Sequence, residues 1–143
     1  MGIKKIADNL AKKYGTRNPF EIIRNINVIL VFYPLEGVKG FYQYFQRNNI
    51  IYIDERLDDN EKIFVCAHEL GHMLLHKKSN AIFMDSRTHL NTSKYENEAD
   101  RFAIDLLISD SIIENHLDFS IDQLSRLFGY SKKMIELRLK DFE

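Results

Sequence analysis

The residues best suited to chemistry in this sequence form the run His68-Glu69-Leu70-Gly71-His72. Histidines at positions i and i+4 lie one turn apart on one face of a helix, so both imidazoles can reach a single metal ion. Glu69 lies about 100° around the helix from His68. From there it can take a proton from the attacking water and pass it to a leaving amine. The spacing predicts a hydrolytic zinc site with His68 and His72 as ligands and Glu69 as the catalytic residue.

A zinc site of this kind needs a third protein ligand and an open position for water. The segment from 95 to 103 offers two candidates, Glu96 and Glu98. On a helical wheel centred on the apolar face of this segment, Glu96 falls roughly 50° from the centre and Glu98 about 110° away, on the side of Arg101 and Asp105. We therefore expect Glu96 to point inward as the third ligand and Glu98 to point to solvent.

Alternatives to this interpretation stay open. Ser93 and Glu96 have the spacing of a capping box, so the glutamate could serve only to begin a helix. Glu98 could also be the third ligand. Asp100 lies one turn beyond Glu96, where it could accept a hydrogen bond from a ligating histidine and fix its tautomer, or be a surface carboxylate. The ligand set fits Zn²⁺, and Mn²⁺ or another divalent ion is compatible with it.

Three other reactive side chains are given lesser roles. His76 extends the histidine stripe but lies too far along the helix from His68 to share one ion, so we expect a structural or substrate-contact role. His89 falls in a polar segment and is expected to be an exposed loop residue, with substrate contact or oxyanion stabilisation as the alternative. Cys66 is expected to be a small core residue. A single cysteine cannot form an internal disulfide, which favours a reducing cytoplasm.

The elements that position these residues follow from hydrophobic periodicity and capping signals. Helices are expected over 3–14 and 19–25. Three apolar or aromatic runs then predict a small antiparallel sheet, with strands at 28–33, 38–45 and 50–53 and a hairpin turn at 47–49. The last strand is expected to be an edge along which substrate lies. The aromatic side chains expected to pack in the core are Phe41, Tyr42, Tyr44 and Phe45.

The second half of the sequence is predicted to be helical. Asp58 and Glu61 form a capping box that begins the helix of the histidines, which should end near His76. A polar loop over 77–92 precedes a helix from Ser93 to about Ile108. Three short helices are expected near 111–116, 121–128 and 132–140, and Ser120 with Gln123 forms another capping box.

The segment from Ile121 to Leu139 resembles a helix-turn-helix, with Leu124 and Leu127 expected to pack across the turn at Gly129. Residues 120–143 carry five Lys or Arg and four acidic residues. The resulting net charge of +1 gives little electrostatic attraction to duplex DNA, so direct DNA binding is not expected. We expect this module to complete the core and to dock a protein substrate.

Composition limits the class of protein. The chain has 143 residues, a net charge of -1 and 45% hydrophobic residues. These values predict a single globular domain over 1–143, divided into a catalytic core at 1–108 and a helical subdomain at 109–143. The charge argues against a protein held on nucleic acid by bulk electrostatics. The apolar run at 28–33 is far shorter than the roughly 20 residues of a membrane span, and no signal peptide is recognisable.

The segment His68 to His76, HELGHMLLH, followed by Glu96 to Leu107, ENEADRFAIDLL, resembles the ImmA/IrrE family of zinc metallopeptidases. The resemblance implies a zincin-like α+β fold, in which a small antiparallel sheet packs on the motif helix and the third-ligand helix. It assigns the metal histidines to His68 and His72, the catalytic glutamate to Glu69, and the third-ligand helix to 96–100. Ile108-Ser109 stands where many members have Met-Pro, which changes the helix exit and leaves the chemistry intact.

The same resemblance implies a function. Members are proteases of narrow specificity, often encoded on prophages or other mobile elements, that cleave a partner repressor and release gene expression. We therefore expect a zinc endopeptidase whose substrate is a helix-turn-helix repressor. Two other classes stay open. One is a DNA- or protein-binding regulator that keeps a structural metal site, and the other is a metal-free helical partner protein.

Overall fold

The computed structural model describes residues 2–76 and 89–142, without the side chains of 89–92. Within these ranges the helices are α1 (Ile3–Tyr14), α2 (Pro19–Asn25), α3 (Asp59–His76), α4 (His89–Leu107), α5 (Asp110–Glu114), α6 (Ile121–Phe128) and α7 (Lys132–Leu139). The strands are β1 (Ile29–Tyr33), β2 (Gly40–Phe45) and β3 (Asn48–Asp54), and a 3-10 turn spans Lys140–Phe142. None of the helices in the described part of the chain is long and apolar enough to cross a bilayer.

Local signals set the ends of several helices. Asp58 Oδ1 accepts a hydrogen bond from the backbone N–H of Glu61 at 2.8 Å, and α3 begins directly after it. Ser120 and Gln123 form the predicted reciprocal capping box at the start of α6. Gly129 ends that helix in the left-handed region, at a φ of 79°, which favours glycine. The predicted positions of these two helices are confirmed.

The sheet is mixed, so the prediction of an antiparallel sheet was wrong. The strand order is β1-β3-β2. β2 and β3 form an antiparallel hairpin around Gln46 and Arg47, whereas β1 pairs parallel with β3, with Ile29 opposite Ile50. The apolar runs predict where strands lie but not their order. Residues 34–39 connect β1 to β2, which lie at opposite edges of the sheet. β3 follows β2 in the chain and fills the position between these two strands.

This order also overturns the prediction that 50–53 is an edge strand. β3 is the central strand, and Ile51 and Ile53 are fully buried. The edge strand that adjoins α3 is β2, because Gly40 packs so closely on Val65 that a Cβ there would lie 2.5 Å from Val65 Cγ1. Among the β2 aromatics expected in the core, Tyr42 alone is buried. Phe41 and Phe45 lie on the opposite face of β2 from Tyr42, and Tyr44, on the same face as Tyr42, is 43% exposed.

Two apolar clusters form the core of the described residues. The main cluster lies between α1, α2, the sheet, α3 and α4, and includes Ile22, Leu70 and Phe102. The second joins the end of α4 to α5, α6 and α7, and consists of Ile104, Ile108, Ile113, Leu124 and Ile135. Leu127 is 52% exposed, so the prediction that it packs across the turn was wrong. α6 turns the face of Leu124 to the core instead.

A charged cluster is buried where the last helices meet α4. Arg138 is fully buried, and it donates hydrogen bonds to the Ile108 carbonyl at 2.9 Å and to Asp110 Oδ1 at 2.6 Å. Asp105 is also fully buried and accepts a hydrogen bond from Arg101 Nε at 2.8 Å. The wheel placed Asp105 on the solvent side, which was wrong because α7 covers this part of α4. Burial raises the pKa of Asp105 to about 6, although Arg101 opposes the shift.

Replacing Arg138 by methionine tests this cluster. We expect Arg138→Met to lose about 3 kcal/mol of unfolding free energy, because Asp105 is then buried with one cation fewer. A carboxyl group with a raised pKa destabilises the fold as the pH rises through that pKa. Removing the cation strengthens this effect, so chemical denaturation should show a larger deficit at about pH 8 than at about pH 5.

The exposed pair of Lys132 and Asp122 offers a matched control. Lys132→Met should change the unfolding free energy by less than about 1 kcal/mol, because both partners are well solvated. Equal losses in the two variants, or an Arg138→Met deficit that is larger at acidic pH, would contradict the role given to the buried cluster.

Candidate metal centre

Helices α3 and α4 approach closely at the level of the histidine motif. Gly71 faces Phe102, and a Cβ at Gly71 would lie 3.0 Å from Phe102 Cδ1. On α4, Ala99 and Ala103 are fully buried on either side of this contact. Small side chains at these positions therefore set a short distance between the two helix axes. As a result, side chains from both helices meet beside the contact.

Three of the predicted site residues converge there. Nε2 of His68 and Nε2 of His72 lie 3.0 Å apart. Glu96 reaches both rings, with Oε2 3.0 Å from His68 Nε2 and Oε1 2.9 Å from His72 Nε2. One potential ligand atom from each residue lies within 4.8 Å of the others. The capping-box alternative for Glu96 was wrong, because α4 begins at His89 and Glu96 lies about two turns inside the helix.

The outer hydrogen bond of His68 shows how this donor set suits a cation. His68 Nδ1 donates to Asp100 Oδ1 at 2.8 Å, so the neutral ring has its lone pair on Nε2, facing Glu96. A lone pair opposite a carboxylate is favourable only if a positive charge lies between them. Without a metal ion a proton takes that position, because the effect of burial is outweighed by Asp100 and Glu96, which raise the pKa of His68 to about 10. Two imidazole nitrogens and a carboxylate therefore fit a divalent metal ion.

Glu69 lies beside the three convergent residues. Glu69 is 6% exposed. Burial raises the pKa of Glu69 to about 7, with Glu96 and Asp100 adding to the shift and His68 opposing it. A carboxyl group with a pKa near neutrality can both accept and return a proton at physiological pH. The arrangement can therefore perform acid–base chemistry next to a bound cation.

The prediction that Glu98 points to solvent was wrong, because the side chain, although 34% exposed, is paired with a residue of α3. Its Oε1 lies 3.0 Å from Nε2 of His76, which is 7% exposed. Nδ1 of His76 in turn lies 3.2 Å from Nδ1 of His72. The wheel failed because it gave α4 a single covered face, whereas the last turn of α3 covers the side of Glu98 as well. This chain of contacts was missed, although the spacing of four residues between His72 and His76 was a signal for it.

Cys66 is fully buried, as expected for a core residue, and burial raises the pKa of its thiol. The loop predicted over 77–92 falls largely on 77–88, which lie outside the described residues, as does the side chain of His89. α4 begins at His89, four residues before the predicted start.

A cavity of about 900 Å³ opens onto the site. Its floor is formed by His68, Glu69, Glu96 and Asp100. Its walls are formed by the start of β2, the first turns of α3 and the turn between α6 and α7, through Val38, Lys39, Gly40, Phe41, Asn60, Glu61, Phe64, Val65, Gly129, Tyr130, Ser131 and Met134. The sequence predicted a substrate-docking role for the C-terminal helices but did not single out the residues of this wall. The cavity is large enough to admit a segment of polypeptide to the floor.

Comparison with known proteins places this architecture. A peptidase family model described as the IrrE N-terminal-like domain matches residues 24–140. The "Uncharacterized immunity region protein 2" of Bacillus phage phi105 is 37% identical over 147 residues, covering 98% of this chain and 93% of that protein. "Metallopeptidase ImmA" of Bacillus subtilis (strain 168) is 28% identical over 144 residues, covering 96% of this chain and 84% of that protein.

A solved structure has the same fold. A "Mycobacterium tuberculosis transcriptional regulator" superposes with a TM-score of 0.67 at 17% identity, over 96% of this chain. The present chain spans 46% of the length of that protein, so this similarity concerns the fold of that portion.

These similarities place the chain among the metallopeptidases, in agreement with the convergence of two histidines and a glutamate beside a cavity. Within that class it belongs to the ImmA/IrrE family, because the family model covers most of its length. The mixed α+β fold with a three-stranded sheet is consistent with this assignment.

Enlarging Gly71 tests the contact that sets the helix separation. Valine is a better helix former than glycine, so Gly71→Val would stabilise an uncrowded helix slightly. We instead expect a loss of about 1–3 kcal/mol in thermal or chemical unfolding, because the new side chain meets Phe102. Leu74→Val, at a position 39% exposed on the same helix, controls for branching and should cost less than about 1 kcal/mol. A stabilised Gly71→Val variant would rule out a tight contact.

Proposed function

We propose that this chain is a zinc-dependent endopeptidase in which His68, His72 and Glu96 hold the ion and Glu69 is the catalytic residue. The observation that carries the proposal is the convergence of three donor atoms within 4.8 Å beside a buried glutamate, where His68, Glu69 and Glu96 line an open cavity. Asp100 supports His68 by accepting the hydrogen bond of Nδ1–H, which leaves the Nε2 lone pair for the metal. Mn²⁺ or another divalent ion would satisfy the same donors.

The ion, when bound, supplies Lewis acidity to the reacting water and to the carbonyl of the peptide bond. The chain supplies the proton transfers. Glu69 takes a proton from water as the oxygen adds to the carbonyl carbon, and then gives it to the amine nitrogen as the C–N bond breaks. Burial helps Glu69 in this task, because a carboxylate in a poorly hydrated site is more basic than one in water. One peptide and one water thus become a carboxylic acid and an amine.

The edge of β2 offers a place for the substrate backbone. Among the described strands, β2 pairs with β3 on one side only, and its first residues, with Lys39 before them, line the cavity. An extended peptide can add to a free strand edge through main-chain hydrogen bonds. This placement replaces the one predicted for 50–53, which is the central strand. It brings a peptide past His68 and Glu69 in an extended conformation.

We propose that the substrate is a protein, and specifically a helix-turn-helix transcriptional repressor encoded with this chain. The name of the phage phi105 relative places that protein in an immunity region, and the Bacillus subtilis relative is named a metallopeptidase. The small positive balance of residues 120–143 gives no strong attraction to duplex DNA. Repression would therefore be relieved by proteolysis of the partner rather than by direct binding of this chain to DNA.

Replacing Glu69 by glutamine tests the catalytic proposal. Glu69→Gln keeps the shape of the side chain and removes the base, so we expect cleavage of the repressor to fall by at least about 100-fold. Metal content and unfolding free energy should stay close to those of the wild type. The measurement is incubation of the zinc-loaded protein with the purified repressor, followed by mass spectrometry of the products. Cleavage by Glu69→Gln at the wild-type rate would favour a non-catalytic regulator with a structural metal site.

Replacing Glu96 by alanine tests the third ligand. Loss of a carboxylate donor should weaken zinc binding by more than about 100-fold, which exceeds the effect of removing an outer partner. Competition with a chromophoric chelator measures the affinity. Glu114→Ala, at an exposed position on α5, is the control and should bind zinc like the wild type. Retention of wild-type affinity by Glu96→Ala would exclude Glu96 as a ligand.

A further inference from the structure

The second ring nitrogen of His72 faces a polar pair outside the proposed ligand set, in which His76 is buried and the side chain of Glu98 is 34% exposed. Nδ1 of His72 lies 3.2 Å from Nδ1 of His76, and Nε2 of His76 lies 3.0 Å from Oε1 of Glu98. The side chains of His72 and His76 are 4% and 5% exposed. The pair joins the last turn of α3 to α4, on the opposite side of His72 from Glu96. Its position calls for an explanation, because polar groups buried in a protein are costly unless they are paired.

The donor and acceptor capacities of these groups give a consistent direction for each bond when both rings are neutral. An ionised carboxylate only accepts, so Nε2 of His76 carries a hydrogen and donates it to Glu98. Nδ1 of a neutral His76 is then an acceptor. Nδ1 of His72 must therefore donate to it, which leaves the lone pair of His72 on Nε2. That atom is the one that lies 2.9 Å from Glu96 Oε1 and 3.0 Å from His68 Nε2.

We propose that Glu98 and His76 form a positioning relay that holds His72 in the tautomer and orientation required for the metal. The proposal rests on the proposed function, because it assumes that His72 Nε2 is a ligand. Glu98 orients His76, and His76 accepts the Nδ1–H of His72. The relay is the counterpart of Asp100, which accepts the Nδ1–H of His68 directly. A ligand held in this way loses less freedom when it binds a metal, and its basicity is raised.

The packing around His76 indicates that its ring orients His72 and does not merely fill space. The ring of His76 lies 4.4 Å from that of Tyr95 and 5.4 Å from that of His72, measured between centroids. These contacts restrict rotation of the imidazole, so its two nitrogens stay aimed at His72 and Glu98. An apolar side chain of similar size could fill this space, but it could not accept the hydrogen bond of His72.

Two substitutions at one position separate hydrogen bonding from packing. His76→Leu removes the acceptor, and we expect zinc affinity to fall about 10- to 100-fold, measured by competition with a chromophoric chelator. His76→Asn places an amide oxygen near the position of Nδ1, so it should recover part of that loss. Glu98→Ala leaves His76 unoriented and should weaken zinc binding in the same direction. The unfolding free energy of each metal-free variant is measured alongside. If His76→Leu does not fold, the zinc affinity of Glu98→Ala tests the relay in its place.

His116→Leu is the matched control, because His116 is a half-buried histidine whose Nδ1 donates to the Ile112 carbonyl away from the site. Its zinc affinity should equal that of the wild type. Wild-type affinity in a folded His76→Leu or Glu98→Ala variant would overturn the relay. Equal losses in His76→Leu and His76→Asn would also overturn it, because packing would then explain both. Failure of the wild type itself to bind zinc would instead defeat the proposed function.

Discussion

The close contact between α3 and α4 is the constraint on which the site depends. In the proposed site α3 provides two imidazoles and α4 provides the carboxylate, so the three donors meet only where the two helices touch. Gly71 allows Phe102 to approach, and the small residues beside it on α4 keep the helices together. Each imidazole is also held from its far side by a residue of α4, directly by Asp100 or through His76 by Glu98. The same contact thus brings the donors together and places the partners of their outer nitrogens.

The C-terminal helices belong to this arrangement because they complete the cavity. Tyr130 and Met134 form part of its wall, and the buried guanidinium of Arg138 anchors the helix that carries Met134. The charged cluster around Arg138 therefore helps to set the shape of the cavity, although it lies away from the proposed metal ligands. In the proposed function, this wall and the edge of β2 that no other described strand covers would bound the peptide on two sides.

The sequence predicted the parts of the molecule that depend on local patterns. Helix ends followed from capping residues such as Asp58 and Ser120, and the inward direction of Glu96 followed from the apolar face of its helix. These features need only the helical period and a short-range hydrogen bond. The assignment of Glu96 as a ligand stays a prediction, as does the division of the chain at residue 108.

The failures concern contacts between elements that are distant in the chain. The direction and order of the strands depend on how residues 34–39 cross the sheet, which no periodicity encodes. Glu98 and Asp105 were assigned to solvent because a helical wheel assumes one covered face. In the structure, α4 is covered by the end of α3 at Glu98 and by α7 at Asp105. A polar residue that a second neighbouring helix covers looks the same in the sequence as a polar residue on the surface.

The most direct test of the account is the position of the metal in crystals grown with zinc, located by anomalous scattering at the zinc edge. The account predicts one strong peak, about 2.0–2.2 Å from Nε2 of His68, Nε2 of His72 and a carboxylate oxygen of Glu96. A peak bound by other residues, or zinc-loaded crystals with no peak between these three side chains, would contradict it.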